Sequence, residues 1–261
     1  MDFREFEDFA HRLADAAAAV TLRLFRGSLA VDDKGATGFD PVTEADRGAE
    51  AAMRDLIAAE YPDHGVLGEE FEETRSGSGW RWVLDPLDGT RSFISGIPLW
   101  TTIIGLEKDG EPVFGLVDQP YVGDRFWGDG SVAYRRDRFG GGGALKTRPC
   151  AALAEATLMT TTPEMMPDAA SLARYESVEA EARLVRYSAD AYAYMMVAAG
   201  RVDLVVEAGL KPYDIVGIIP ILRGAGGFVT AWDGGPASAG GHVVAAGDRA
   251  LHGEAMRRLS A

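Results

Sequence analysis

Cys150 is the only cysteine in the 261 residues, so no internal disulfide can form and a reducing compartment is expected. The four histidines, His11, His64, His242 and His252, are scattered and build no His-Glu-x-x-His zinc motif. A Gly-x-Ser-x-Gly nucleophile elbow is missing, and the lone cysteine has no histidine near it in sequence. Basic residues are scarce, 26 against 40 acidic for a net charge of −14, with no basic block to attract nucleic acid. The longest apolar runs, such as Ile215 to Leu222, are too short to span a bilayer and are broken by Gly217 and Pro220, so no membrane partner is expected. Met1 to Glu5 opens an acidic, amphipathic segment unlike a secretory signal, and a cytoplasmic protein is expected. The four glycines Gly140–Gly143 lack the spacing of a Walker phosphate loop.

What is present is an ordinary globular composition, 47% hydrophobic and 25% charged, enough for a sizeable core in one large domain or two intimate halves. Residues 3 to 25 place Phe3, Phe6, Phe9, Leu13, Ala17, Val20 and Leu24 at helical spacing, a packing stripe that needs no cofactor. Residues 31 to 41 read as a glycine-containing loop, and Thr43 caps a second helix with Asp46 in a capping-box position. Val66-Leu67 is a short strand running into Gly68-Glu69-Glu70. Four segments from Thr101 to Tyr134 read as an antiparallel run turning at Asp109-Gly110 and Gly128-Asp129-Gly130. The glycine run 140–143 is the candidate linker, giving an N-terminal α+β half at 1–143 and a C-terminal α/β half at 144–261. In the second half, strands at 157–161, 202–206, 228–230 and 242–246 alternate with helices at 190–200, 214–223 and 248–259, the pattern of an α/β layer.

The stretch Trp82-Val83-Leu84-Asp85-Pro86-Leu87-Asp88-Gly89-Thr90 holds the most chemistry. A buried strand ends at Asp85-Pro86, and two carboxylates then stand three apart across a turn. Such a pair repels itself unless a cation intervenes, and carboxylates with a backbone carbonyl are what Mg²⁺ takes. Gly89-Thr90 offers backbone N–H groups to a phosphate. The same residues equally make a plain Asx turn. Asp46, Glu69 and Asp214 join them as acids at element boundaries, although each has a bland alternative: first-turn acid, solvated loop and helix N-cap.

The chain resembles the inositol monophosphatase superfamily of Mg²⁺-dependent, Li⁺-sensitive phosphatases. The resemblance rests on Trp82 to Thr90, on Tyr213-Asp214 leading to Gly224-Ala225-Gly226-Gly227, on Gly68-Glu69-Glu70 and on Asp40-Pro41-Val42-Thr43-Glu44-Ala45-Asp46, and covers nearly the whole chain. It implies a layered α-β-α-β-α sandwich, a small phosphorylated substrate, two or three Mg²⁺ ions and a homodimer. It also implies roles: Glu69, Asp85, the carbonyl of Leu87, Asp88 and Asp214 as metal ligands, Gly89 and Thr90 against the phosphate, and Thr90 with Asp46 orienting the attacking water. Glu69 is shared with a third, weaker ion and counts with them as catalytic. Arg91 in Asp88-Gly89-Thr90-Arg91-Ser92-Phe93, Val117-Asp118-Gln119-Pro120 and Glu207 to Asp214 look most like the histidinol-phosphatase branch. There Glu207 and Asp190 suit a substrate carrying an ammonium and an imidazole; the bland alternatives are a strand-end acid facing water and a helix cap. Ser188-Ala189 departs from the small glycines expected beside the substrate, and Lys34 in a lengthened loop receives no role. The expected activity is hydrolysis of L-histidinol phosphate. Its alternatives are an inositol-1-monophosphatase or related sugar phosphatase and, from another class, a non-catalytic acidic metal-binding protein.

Overall fold

A computed structural model describes residues 4–27, 31–33, 41–75 and 77–260. Lys34 and most of the expected 31–41 loop lie outside the described residues. What is described there is a ribbon, Val31–Asp33 paired antiparallel with Pro41–Thr43.

Five layers follow from where the apolar faces go. The helices Arg4–Leu24 and Glu44–Glu60 lay Phe9, Leu13, Ala17, Ala49, Met53 and Ile57 onto Trp82, Leu84, Ile104 and Leu116 of a seven-stranded sheet. That sheet runs Gly65–Gly68, Trp80–Asp88, Thr101–Lys108, Glu111–Gln119, Asp124–Gly128, Ala133–Arg136, Gly142–Ala144 in spatial and sequence order, antiparallel after its first, parallel pair. Its other face (Ile103, Val117, Phe126) meets the helices Asp190–Ala198 and Ile218–Gly224, which also cover Val205, Val229 and Val243 of a five-stranded sheet. The order there is Leu184–Tyr187, Thr157–Thr160, Leu204–Leu210, Gly241–Ala246, Phe228–Ala231. Ala169–Glu179 and Arg249–Leu259 close the outside over Leu158, Val206 and Val244. This is the expected α-β-α-β-α sandwich.

Several elements differ from the sequence expectation. The strand expected to stop at Asp85-Pro86 runs Trp80–Asp88, because its register shifts between Asp85 and Asp88. A bulge tolerates a proline that a regular ladder would not. The hydroxyl of Thr102 donates to the Pro86 carbonyl at 2.9 Å and ties the bulge down. Gly142–Ala144, the end of the glycine run, pairs as an edge strand with Ala133–Arg136. The expected 214–223 helix is two, Pro212–Ile215 and Ile218–Gly224, with Gly217 between them. Ala169–Glu179 and Leu184–Tyr187 carry no strong periodicity and were not expected.

Gly217 sits at the tightest contact between the layers. A Cβ on Gly115 would stand 1.8 Å from the Gly217 carbonyl oxygen, and one on Gly105 2.9 Å from its amide nitrogen. Glycines on the sheet let the helix pair Pro212–Ile215 and Ile218–Gly224, which carries Asp214, lie directly on it. Gly115→Ala should therefore cost about 3 kcal/mol of stability, the upper range for overpacking, read as a lowered urea midpoint; an unchanged midpoint would mean the contact is loose.

Candidate active site

A cavity of about 250 Å³ opens where the bulged strand, the middle helices and the C-terminal sheet meet. It gathers Glu69, Asp85, Leu87, Asp88, Gly89, Thr90, Arg91, Asp190, Glu207 and Asp214. Every expected site residue except Asp46 thus borders one space. Asp46 lies beneath it, 1% exposed, and reaches the wall through the Thr90 hydroxyl, 3.2 Å from its Oδ1.

Local folding places each group. The bulge turns Asp85 and Asp88 toward the cavity at one strand end, and Asp85 is 2% exposed with Oδ1 accepting the Leu87 N–H at 3.0 Å. Asp88 Oδ2 accepts the Ala191 N–H (2.8 Å) and the Thr101 hydroxyl (3.2 Å), linking the sheet to the middle helix. Gly89 takes φ +85°, a turn that a Cβ would strain, and starts the short helix Thr90–Ile94. Asp46 Oδ2 accepts both the N–H and the hydroxyl of Thr43, at 2.8 and 2.6 Å, in the expected capping box. Asp214 is not the N-cap: Lys211 is, and Asp214 Oδ2 accepts its N–H at 2.6 Å.

Glu207 and Asp190 also differ from their bland alternatives. Glu207 lies inside the strand Leu204–Leu210, 4% exposed, not at a wet strand end. It accepts the Thr161 N–H (2.6 Å) and hydroxyl (3.0 Å) and the Thr160 hydroxyl (3.3 Å). Asp190 is the first helical residue, with Ala189 as cap, and Thr161 Oγ1 stands 3.3 Å from its Oδ1. Ser188 and Asp190 adopt φ +63° and +44°, left-handed angles that favour glycine, at the place where the sequence departs from the expected glycines.

Two supports escaped the sequence reading. Thr161 bridges Asp190 and Glu207. Glu50, fully buried, accepts the Glu70 N–H at 2.7 Å and pairs with Arg54 at 2.7 Å, anchoring the loop that carries Glu69. Only its place one helical turn after Asp46 could have signalled it.

Burial and mutual repulsion raise the acids' pKa values together. Asp85 is pushed well up by burial, then by Glu69, Asp88 and Asp214. Asp88 rises by burial and Asp190. Burial takes Asp214 and Asp190 to about 6 and Glu207 to about 8. Among the described residues, no three His, Cys, Asp or Glu side chains close on a common point as they stand, since backbone N–H groups hold oxygens of Asp85, Asp88 and Asp214. The chemistry of the set nonetheless suits a hard divalent cation: oxygen donors only, partly buried, with repulsion that positive charge would relieve.

A model of the inositol monophosphatase family matches residues 2–261. The chain belongs to that family. It is 38% identical over 272 residues to the chloroplastic bifunctional phosphatase IMPL2 of Arabidopsis thaliana, covering 97% of this chain and 75% of that protein. To the histidinol-phosphatase of Chlorobaculum parvum it is 39% identical over 220 residues, 84% of this chain and 82% of the other. The structure of an inositol monophosphatase from Zymomonas mobilis matches with a TM-score of 0.88 and 36% identity over 100% of both chains. The chain is accordingly a phosphatase of the inositol monophosphatase family.

The raised pKa values give a signed expectation for the metal-free protein. The native state holds protons that the unfolded chain, with carboxyls near about 4, has lost. The stability from these groups is therefore full below about pH 4 and is lost as pH rises through about 6 (Asp190, Asp214) and then about 8 (Glu207). Urea midpoints in chelator should fall over that window, and excess Mg²⁺ should flatten the fall; identical profiles with and without Mg²⁺ would count against a cation at these acids.

Proposed function

We propose that this phosphatase hydrolyses L-histidinol phosphate to L-histidinol and phosphate. The observation that carries this reading is the second acid group: Glu207 and Asp190, joined through Thr161, lie beyond the four acids at the strand and loop ends and face the same cavity. Acids there are in excess of what a phosphate dianion requires and match a cationic leaving group. Relatives named histidinol-phosphatase, from Chlorobaculum parvum at 39% and Streptomyces coelicolor at 34% identity, support it. Inositol-1-monophosphatase is the second reading, favoured by relatives of that name such as the Rhizobium meliloti protein at 36% identity.

In this reading Glu69, Asp85, the Leu87 carbonyl, Asp88 and Asp214 hold Mg²⁺. Bound Mg²⁺ supplies charge neutralisation at the phosphate, a lowered pKa for the attacking water and stabilisation of the leaving oxygen. Thr90 Oγ1 accepts the water's hydrogen bond while its own hydrogen goes to Asp46 Oδ1, 3.2 Å away, so the hydroxyl aims the water. Backbone N–H groups of Gly89 and Thr90 hold phosphate oxygens, and Arg91 stands at the cavity wall beside them. Glu207 and Asp190 receive the ammonium and imidazole of the leaving group. The half 1–143 then supplies most metal ligands, and 144–261 adds Asp214 and the leaving-group pocket.

Asp85→Asn should lower kcat/KM on the order of 10³-fold with the fold intact by circular dichroism, the loss expected when a metal's several kcal/mol is withdrawn. Near-normal turnover would remove Asp85 from the site. On a panel of histidinol phosphate, inositol-1-phosphate and fructose-1,6-bisphosphate, the first should have the highest kcat/KM. Glu207→Gln should reduce that value about 10- to 100-fold, the scale of one hydrogen bond to a charged group, and spare the neutral sugars more. Preference for inositol-1-phosphate would select the second reading. Absence of magnesium-dependent phosphate release from every ester would leave only a metal-binding protein.

A further inference from the structure

One buried polar group at this cavity has no hydrogen-bond partner among the described residues. The helix Asp190–Ala198 places Tyr194 one turn after Asp190, so the two side chains share a helix face. Tyr194 is 2% exposed and borders the same cavity as Asp190 and Glu207, yet its hydroxyl makes no hydrogen bond. A phenol buried this deeply ordinarily has one. The carboxyls of Glu207, Asp214 and Asp88 lie near enough to act on it electrostatically, but none bonds it. The hydrogen bonds these carboxyls do accept come from Thr160 and Thr161 at Glu207, from Lys211 at Asp214 Oδ2, and from Ala191 and Thr101 at Asp88 Oδ2. The unmet bond of Tyr194 therefore points to a group from outside the chain.

Resting on the reading of an ammonium-bearing leaving group, we infer that Tyr194 is a specificity-determining residue whose hydroxyl oxygen accepts one N–H of the substrate's ammonium. An –NH₃⁺ group carries three donors. Glu207 and Asp190 provide two acceptors, and Tyr194 Oη supplies the third from the same helix face as Asp190. A sugar hydroxyl has a single donor, which Glu207 alone satisfies. The hydroxyl thus favours phosphate monoesters of alcohols that bear a primary amine over those of polyols. Neither the metal ligands nor the phosphate contacts are involved.

Tyr194→Phe removes the oxygen and keeps the ring. Steady-state kinetics on L-histidinol phosphate and on its deaminated analogue, with hydrogen in place of the amine, test the assignment. KM for the amine ester should rise about tenfold, the scale of one hydrogen bond to a charged group, and exceed any change in kcat. The shift on the analogue should be at least about fivefold smaller. Calorimetric affinity for L-histidinol alone should weaken by the same factor as KM. The thermal midpoint should stay level or rise, since no internal bond is lost. Equal KM shifts on both esters, no shift on the amine ester, or a lowered midpoint revealing an internal partner would each overturn the assignment. A wild-type enzyme with no preference for the amine ester would sink the leaving-group reading and Tyr194 with it. A wild-type preference that Tyr194→Phe retains would sink the Tyr194 assignment alone.

Discussion

Mutual repulsion among buried carboxyls governs this structure. Burial and the neighbouring carboxyls of Glu69, Asp88 and Asp214 together push Asp85 towards its protonated form. The chain tolerates this because each acid is fixed by its surroundings: a bulge for Asp85 and Asp88, a helix start for Asp214, paired threonines for Glu207. A site held in that state is preorganised for positive charge, whether brought by a metal or by a substrate.

Nothing in either sheet alone completes the cavity. The middle helices lie against both sheets, and the Asp88–Ala191 hydrogen bond crosses from the first sheet to those helices. The glycine contact at Gly105, Gly115 and Gly217 brings the Asp214 segment down onto the first sheet. Left-handed backbone at Ser188 and Asp190 stores strain beside this junction, as is common where side chains are aimed for function.

The α+β and α/β halves and the acids at element ends were legible in the sequence, because amphipathic stripes and strand–turn signals are local; the five-layer stacking followed only from the resemblance of the motifs to a known family. So was the Thr43–Asp46 capping box, which is a spacing rule. What escaped was non-local. That Pro86 sits in a continuing strand depends on Thr102 from the neighbouring strand. The burial of Glu207 depends on Thr160 and Thr161, some forty-six residues away. Tyr194 drew no notice inside the expected 190–200 helix, since a missing hydrogen bond leaves no trace in a sequence. The helix Ala169–Glu179 escaped for a simpler reason: its apolar residues form no clear stripe.

Asp46, Glu50 and Arg54 follow one another at four-residue steps along the helix Glu44–Glu60. The first reaches Thr90, the second grips the amide of Glu70, and the third closes on the second. One rod therefore gauges two separate loops of the site at once. Inserting a single residue between positions 46 and 50 would turn one end about 100° against the other, and no hydrophobic repacking could restore both grips together.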